Sequence, residues 1–226
     1  MSLEAPRLRG DELQDRIEPR PVRETRLVYR GRVWDVRRDT VDLGEAGAVE
    51  RDYVEHTGAV AVLALRQDRG LDEVLMVQQY RHPVRALEWE LPAGLLDVEG
   101  EPPQEAAARE LAEEADLVAR RWDVLVDYVS SPGGMSEALR IFLARDLADV
   151  PVADRHDRAA EEAGMPARWV PLDGAVEAVL AGRVRNATSV VGVLAARQLG
   201  EHGWRGLRGA DAPWPAHPGR GPRDDA

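Results

Sequence analysis

The chain contains no cysteine, which excludes disulfides, thiolate metal sites and a cysteine nucleophile. It has no uncharged apolar run near the ~18 residues of a membrane span, so no membrane association is expected. The first fifteen residues are charged and lack an apolar centre, unlike a signal peptide. A cytoplasmic protein is the expectation. Positive charge is in the minority: the formal net charge is −11. That argues against a general nucleic-acid or membrane-surface binder, but not against an anionic substrate, because bound metal inverts the local field. The histidines at 56, 82, 156, 202 and 217 have no metal-ligand spacing and read as structural or surface residues. Ser130, Ser131 and Ser136 lie in no nucleophile-elbow pattern. The sequence shows no internal repeat.

What is present suits a folded α/β protein. The chain has 226 residues, of which 44% are hydrophobic, enough for a core. Residues 1–20 are polar and read as a flexible arm. Residues 21–56 alternate in short extended runs around Arg30-Gly31-Arg32 and 44–47, a β-rich segment too thin to stand alone. A domain then spans 57–203. Its 58–65 run is almost wholly apolar, as in a strand buried on both faces. Further strands are expected at 74–80, 86–91, 122–129, 139–144 and 168–172, a short helix within 154–162, and amphipathic helices at 173–182 and 188–199. Asn186, Thr188 and Ser189 are the cap candidates for the last helix. Residues 204–226 are rich in Gly, Pro and Arg and read as a disordered tail. Trp34 and Trp89 fit core packing better than base stacking.

Residues 94–117 carry the chemistry. A glycine loop leads through Pro102-Pro103, which suits a helix start, into Ala-Ala-Ala-Arg-Glu-Leu-Ala-Glu-Glu. On a helix, Glu110, Glu113 and Glu114 share one face. Three like charges there need a counter-charge or full solvation. A divalent cation such as Mg²⁺ is one counter-charge for clustered carboxylates; a solvated, salt-bridged face is the other reading. Arg109 can hold a neighbouring carboxylate in one rotamer by paired hydrogen bonds.

This stretch resembles the Nudix box: Gly, five residues, Glu, seven residues, Arg-Glu, an apolar residue, one residue, Glu-Glu, one residue, Gly and an apolar residue. Glu101, Arg109, Glu110, Leu111, Glu113, Glu114 and Leu117 match in register. Six residues, not five, separate Gly94 from Glu101, and Asp116 stands where the pattern has Gly. That Gly would end the helix in a left-handed conformation, which Asp adopts at a cost of about 1 kcal/mol. The runs Gly58-Ala59-Val60-Ala61-Val62, Gln79-Tyr80-Arg81, Glu90-Leu91-Pro92-Ala93-Gly94-Leu95-Leu96-Asp97 and Ser131-Pro132-Gly133-Gly134 resemble the ADP-ribose pyrophosphatase branch of the family.

The resemblance implies a Nudix fold, a mixed β-sheet sandwiched between helices, with the β-rich N-terminal segment exchanged between the subunits of a homodimer. It implies Mg²⁺-dependent hydrolysis of ADP-ribose to AMP and ribose 5-phosphate, with Mn²⁺ as an alternative metal. Carried over, Glu110, Glu113, Glu114 and the Ala93 carbonyl are the metal ligands, and Arg109 supports them. Glu137, on a flexible loop, is the general base, with Glu113 as the fallback. Arg81, Gly133 and Gly134 contact the substrate, and the glycines let their loop bend. Another nucleoside diphosphate sugar or a dinucleoside polyphosphate is the alternative substrate, and a non-catalytic ADP-ribose sensor the non-enzymatic reading. Intact box glutamates and the lack of a helix-turn-helix pattern weigh against the sensor.

Overall fold

The computed structural model describes residues 3–157 and 164–217. The chain divides into two compact units, residues 1–52 and 53–226. In the first, strands β1 (Val22–Arg30), β2 (Asp35–Asp42) and β3 (Ala48–Glu55) form an antiparallel-started sheet in the order β1-β2-β3, with β3 running on into the second unit. The β1–β2 turn needs Gly31, because a Cβ there would overlap the Trp34 carbonyl. Ion pairs Arg23–Asp42 and Arg38–Asp52 lace the sheet. Trp34 is exposed, so core packing holds for Trp89 and not for Trp34.

The second unit contains β4 (Ala59–Asp68), β5 (Leu71–Arg81), β6 (Ala86–Glu90), β7 (Ala93–Leu95), α1 (Pro103–Ala115), β8 (Leu117–Val129), β9 (Ala138–Asp149), β10 (Ala167–Pro171), α2 (Leu172–Leu180), α3 (Ala187–Glu201) and β11 (Arg208–Gly209). Its mixed sheet has the order β10-β5-β4-β9-β8-β11, with β6 on β5 and β7 on β4. β4 is central: it runs parallel to β9 and antiparallel to β5 and β7. Hence Ala59 to Leu65 are all buried, as the apolar run predicts.

Strand alternation sorts this core into two layers. Val60, Val62, Ala64, Phe142 and Ala144 face Ala106, Ala107 and Leu111 of α1. Ala61, Leu63, Leu65, Ile141 and Leu143 face Leu172 and Ala175 of α2 and Val193 and Ala196 of α3. The sheet is therefore sandwiched between helices. Close packing of α3 requires Gly192, where a Cβ would lie 2.7 Å from Leu91 Cδ1. Asn186 caps α3 by accepting from the Ser189 amide, and the Ser189 hydroxyl donates to the Trp89 carbonyl.

Three parts differ from the sequence reading. β9 continues to Asp149 through the acidic stretch, because the ladder with β8 (Leu117↔Asp149, Ala119↔Leu147) satisfies its backbone while Asp146 and Asp149 stay exposed. Of the short helix expected within 154–162, Asp154 ends a 3₁₀ turn, Val152–Asp154, and 155–157 carry no helix; residues 158–162 lie outside the described residues. The expected disorder after Trp204 does not hold for 208–214. There β11 pairs with β8, and the buried Arg140 donates to the carbonyls of Ala212 (2.7 Å) and Pro213 (3.1 Å) and lies over the Trp214 ring. Arg140 also forks onto Asp127, which Arg208 contacts as well. Burial would raise the Asp127 pKa, but these two arginines hold it below the usual range. A buried guanidinium needs acceptors for its donors, and the tail supplies two.

Deleting residues 208–226 removes those acceptors and the ring contact. The expected loss of stability in urea denaturation is about 2–4 kcal/mol.

Candidate active site

The site is built where α1 meets β7. α1 begins at Pro103, in the first helical position, and ends at Asp116, whose φ of 54° and ψ of 33° are left-handed. Its amide closes the helix on the Ala112 carbonyl, so the aspartate performs the stop expected of the box glycine. Leu117 starts β8 directly, and that short exit fixes the rotation of the helix on the sheet.

That rotation decides the fate of the glutamates. Glu114 is only 8% exposed, and its Oε2 accepts from the Ala93 amide at 3.0 Å. Glu110, one turn earlier and 13% exposed at its side chain, lies against Gly94: a Cβ there would overlap the carboxylate. Glu113, at 33%, is the outermost of the three. A solvated helix face is thereby ruled out for Glu110 and Glu114.

Arg109 is the counter-charge. It forks onto Glu101 (3.0 and 3.1 Å) and its Nη1 reaches Glu110 (2.6 Å) and Glu113 (3.3 Å). Its bonds to Glu101, then the charge of Glu110, raise its pKa further above the ordinary value, and Arg109 in turn lowers that of Glu101. The longer loop between Gly94 and Glu101 still delivers Glu101 to its partner. Among the described residues, no three acidic or histidine side chains already converge as a metal cage. The donor set nevertheless fits a hard cation. Carboxylates offer about four lone-pair directions each; those of Glu110 and Glu114 are fixed side by side against one strand, and the cleared Cβ position at Gly94 is what lets Glu110 approach.

Strand register brings other residues to the same end of the sheet. Ala59 pairs with Leu95 on one side and with Leu139 on the other. Glu137, just before β9, is therefore two strand spacings, about 10 Å, from β7. In this structure both of its carboxylate oxygens have partners. Ser130 Oγ donates to its Oε2 at 2.5 Å, and His56 Nε2 lies 3.2 Å from its Oε1. The loop itself is stitched to residues 54–56: Val54 N–H donates to Gly134 O, Ser136 N–H to Val54 O, and His56 N–H to Ser136 Oγ. Gly133 and Gly134 lie in the turn of this loop without left-handed φ values. A Cβ at either would meet nothing within 4 Å, so both border open space.

Arg81, at the end of β5, forks onto the buried Glu90 at 2.8 and 2.7 Å. Glu90 lies three residues before Ala93, which ties Arg81 to the strand that carries the site. No spacing along the chain marks Glu90 or Ser130 as partners of these residues or distinguishes His56 from a structural histidine. His56 is buried, as a structural histidine would be, and its Nδ1 accepts from the Gly58 amide at 3.0 Å. Burial lowers its pKa, against the opposing pull of Glu137.

The unfolded chain binds a proton at a histidine near pH 6.5, whereas folded His56 resists it. Stability is therefore expected to be complete above pH 6.5 and to decline as pH falls below it. Urea titrations at pH 7.5, 6.5 and 5.5 should find this slope in the wild type and a flatter one in His56→Asn.

A NUDIX domain model matches residues 55–190. ADP-ribose pyrophosphatase of Mycobacterium tuberculosis is 43% identical over 187 residues, covering 83% of this chain and 87% of that protein. Methanol dehydrogenase activator of Bacillus methanolicus is 31% identical over 170 residues, 75% of this chain and 88% of that one. A solved structure described as an ADP compounds hydrolase superposes with a TM-score of 0.66 at 22% identity, covering 84% of this chain and all of its own, which supports the fold. With the box helix, its paired carboxylates and the sandwiched sheet in place, the chain belongs to the NUDIX family and is a Nudix hydrolase.

Proposed function

We propose that this chain hydrolyses the diphosphate of ADP-ribose, releasing AMP and ribose 5-phosphate. The carrying observation is the seating of Glu110 and Glu114 against Ala93 and Gly94, in a chain 43% identical to an ADP-ribose pyrophosphatase over most of its length. Water adds to one phosphorus while the bridging P–O bond breaks, so each product keeps one phosphate.

Glu110 and Glu114 would hold Mg²⁺, with Glu113 and the Ala93 carbonyl assisting. Bound there, the metal neutralises diphosphate oxygens and lowers the pKa of water. Arg109 keeps Glu110 and Glu113 oriented when substrate departs. Glu137 is the general base, accepting the proton from the attacking water. Arg81 meets the diphosphate, its fork onto Glu90 setting the guanidinium plane. The open space beside Gly133 and Gly134 receives part of the substrate. The burial of Glu114 and the seating of Glu110 against Gly94 favour this catalytic reading over a non-catalytic sensor.

The protein acts as a homodimer in this proposal. β1 exposes Val22, Leu27, Val28 and Tyr29 across its two faces, and Val33 and Trp34 are exposed in the turn that follows, apolar surface that a second copy of the chain would cover. A cut after Asp52 follows the boundary between units and spares Val54, which holds the Glu137 loop.

Glu114→Gln should lower kcat on ADP-ribose by about 10²-fold or more with the fold intact, read by steady-state kinetics and circular dichroism. Removing metal by chelation should abolish turnover, and added Mg²⁺ should restore it; full activity in chelator would overturn the metal assignment. Relative kcat/KM should favour ADP-ribose over sugar nucleotides and dinucleoside polyphosphates. Deleting residues 1–52 should yield an inactive monomer by light scattering; an active monomer would remove the dimer from the proposal.

A further inference from the structure

Glu137 is held at both oxygens, and the holder on one side is a histidine whose tautomer the backbone dictates. The Gly58 N–H points at His56 Nδ1 at 3.0 Å. A nitrogen that accepts carries no proton, so in the neutral ring the proton is on Nε2. That is the nitrogen 3.2 Å from Glu137 Oε1. His56 therefore donates to the carboxylate, while Ser130 Oγ donates to the other oxygen.

The ring has little freedom to do otherwise. Its side chain is 1% exposed. Its own amide is bonded to Ser136 Oγ, from the loop that carries Glu137. The parallel register Ala59↔Leu139 runs the two chain segments side by side, so residues just before β4 flank residues just before β9. This contact joins positions 81 apart in the chain, on two strand entrances that must both be seated for the site to be complete.

We infer that His56 is a positioning residue for Glu137: its Nε2–H fixes the carboxylate rotamer and directs its remaining lone pairs toward the attacking water. The inference rests on Glu137 being the base. Two hydrogen bonds occupy about half of the lone-pair directions of a carboxylate, so the clamp orients the group and leaves it able to accept a proton. Misplacing a reacting group by about 1 Å costs on the order of 10²-fold in rate, the scale on which a lost clamp is read.

Two substitutions separate the two ring nitrogens. His56→Asn keeps an acceptor near the Nδ1 position and loses the donor to Glu137. His56→Gln keeps a donor near the Nε2 position and loses the acceptor for Gly58. For a clamp, His56→Asn lowers kcat by about 10–100-fold with little change in KM, and His56→Gln recovers most of it despite a lower Tm. For a purely structural histidine, activity follows Tm, and that result overturns the inference. In the Glu137→Gln background, His56→Asn should cost nothing further in kcat; an independent, full loss there overturns the clamp as well. Glu137→Gln with full activity would instead defeat the base assignment. Should His56→Asn fail to fold, ¹⁵N NMR of the wild type still decides: the neutral Nε2–H tautomer is expected, and Nδ1–H would refute it.

Discussion

The candidate site depends on a close contact between a helix and a backbone. Glu110 and Glu114 of α1 press against the main chain at Ala93 and Gly94, one beside a missing Cβ and the other on a backbone amide. Holding a buried and a part-buried carboxylate this near each other is costly unless donors and counter-charges surround them. The amide of Ala93, donating to Glu114, and Arg109 Nη1, donating to Glu110, meet part of that cost. Everything that fixes α1 therefore serves the site: Ala106, Ala107 and Leu111 below, the left-handed Asp116 at its end, and Glu101 holding Arg109 from the loop.

A second constraint is the position of β4. It is flanked by β7 on one side and β9 on the other at the same level. One buried strand thus sets the distance between the carboxylates of α1 and the residue before β9. Because its neighbours are all hydrogen-bonded to it, the two halves of the site cannot drift apart without breaking sheet ladders. The His56–Glu137 contact extends this rigidity from the backbone to a side chain. Arg81 joins the same frame through Glu90, whose strand runs directly into Ala93.

The C-terminal tail is a separate case. Gly, Pro and Arg enrichment normally marks chain that buries too little to fold, yet residues 208–214 are ordered. The reason is a demand created elsewhere: Arg140 sits in the core with more donors than Asp127 can satisfy, and tail carbonyls complete its shell. Composition does not report such a demand, since it arises only when β8 and β9 pair.

Much of the fold is local and was legible in the residues. The uninterrupted apolar run of β4 marks a strand covered on both faces, the Ala and Leu spacing of α1 marks its buried stripe, and Asn186 marks a helix start. The spacing of Glu110, Glu113 and Glu114 places them on one helix face, and together with Glu101 and Arg109 it resembles the Nudix box. Tertiary structure alone decided which of those glutamates are buried, that Arg109 serves three carboxylates at once, and that Glu137 is clamped by His56 and Ser130. It also decided the order of the tail. These are contacts between residues far apart in the chain, set by strand register and helix rotation. No spacing along the sequence encodes them, because they exist only once the sheet has brought its strand ends together.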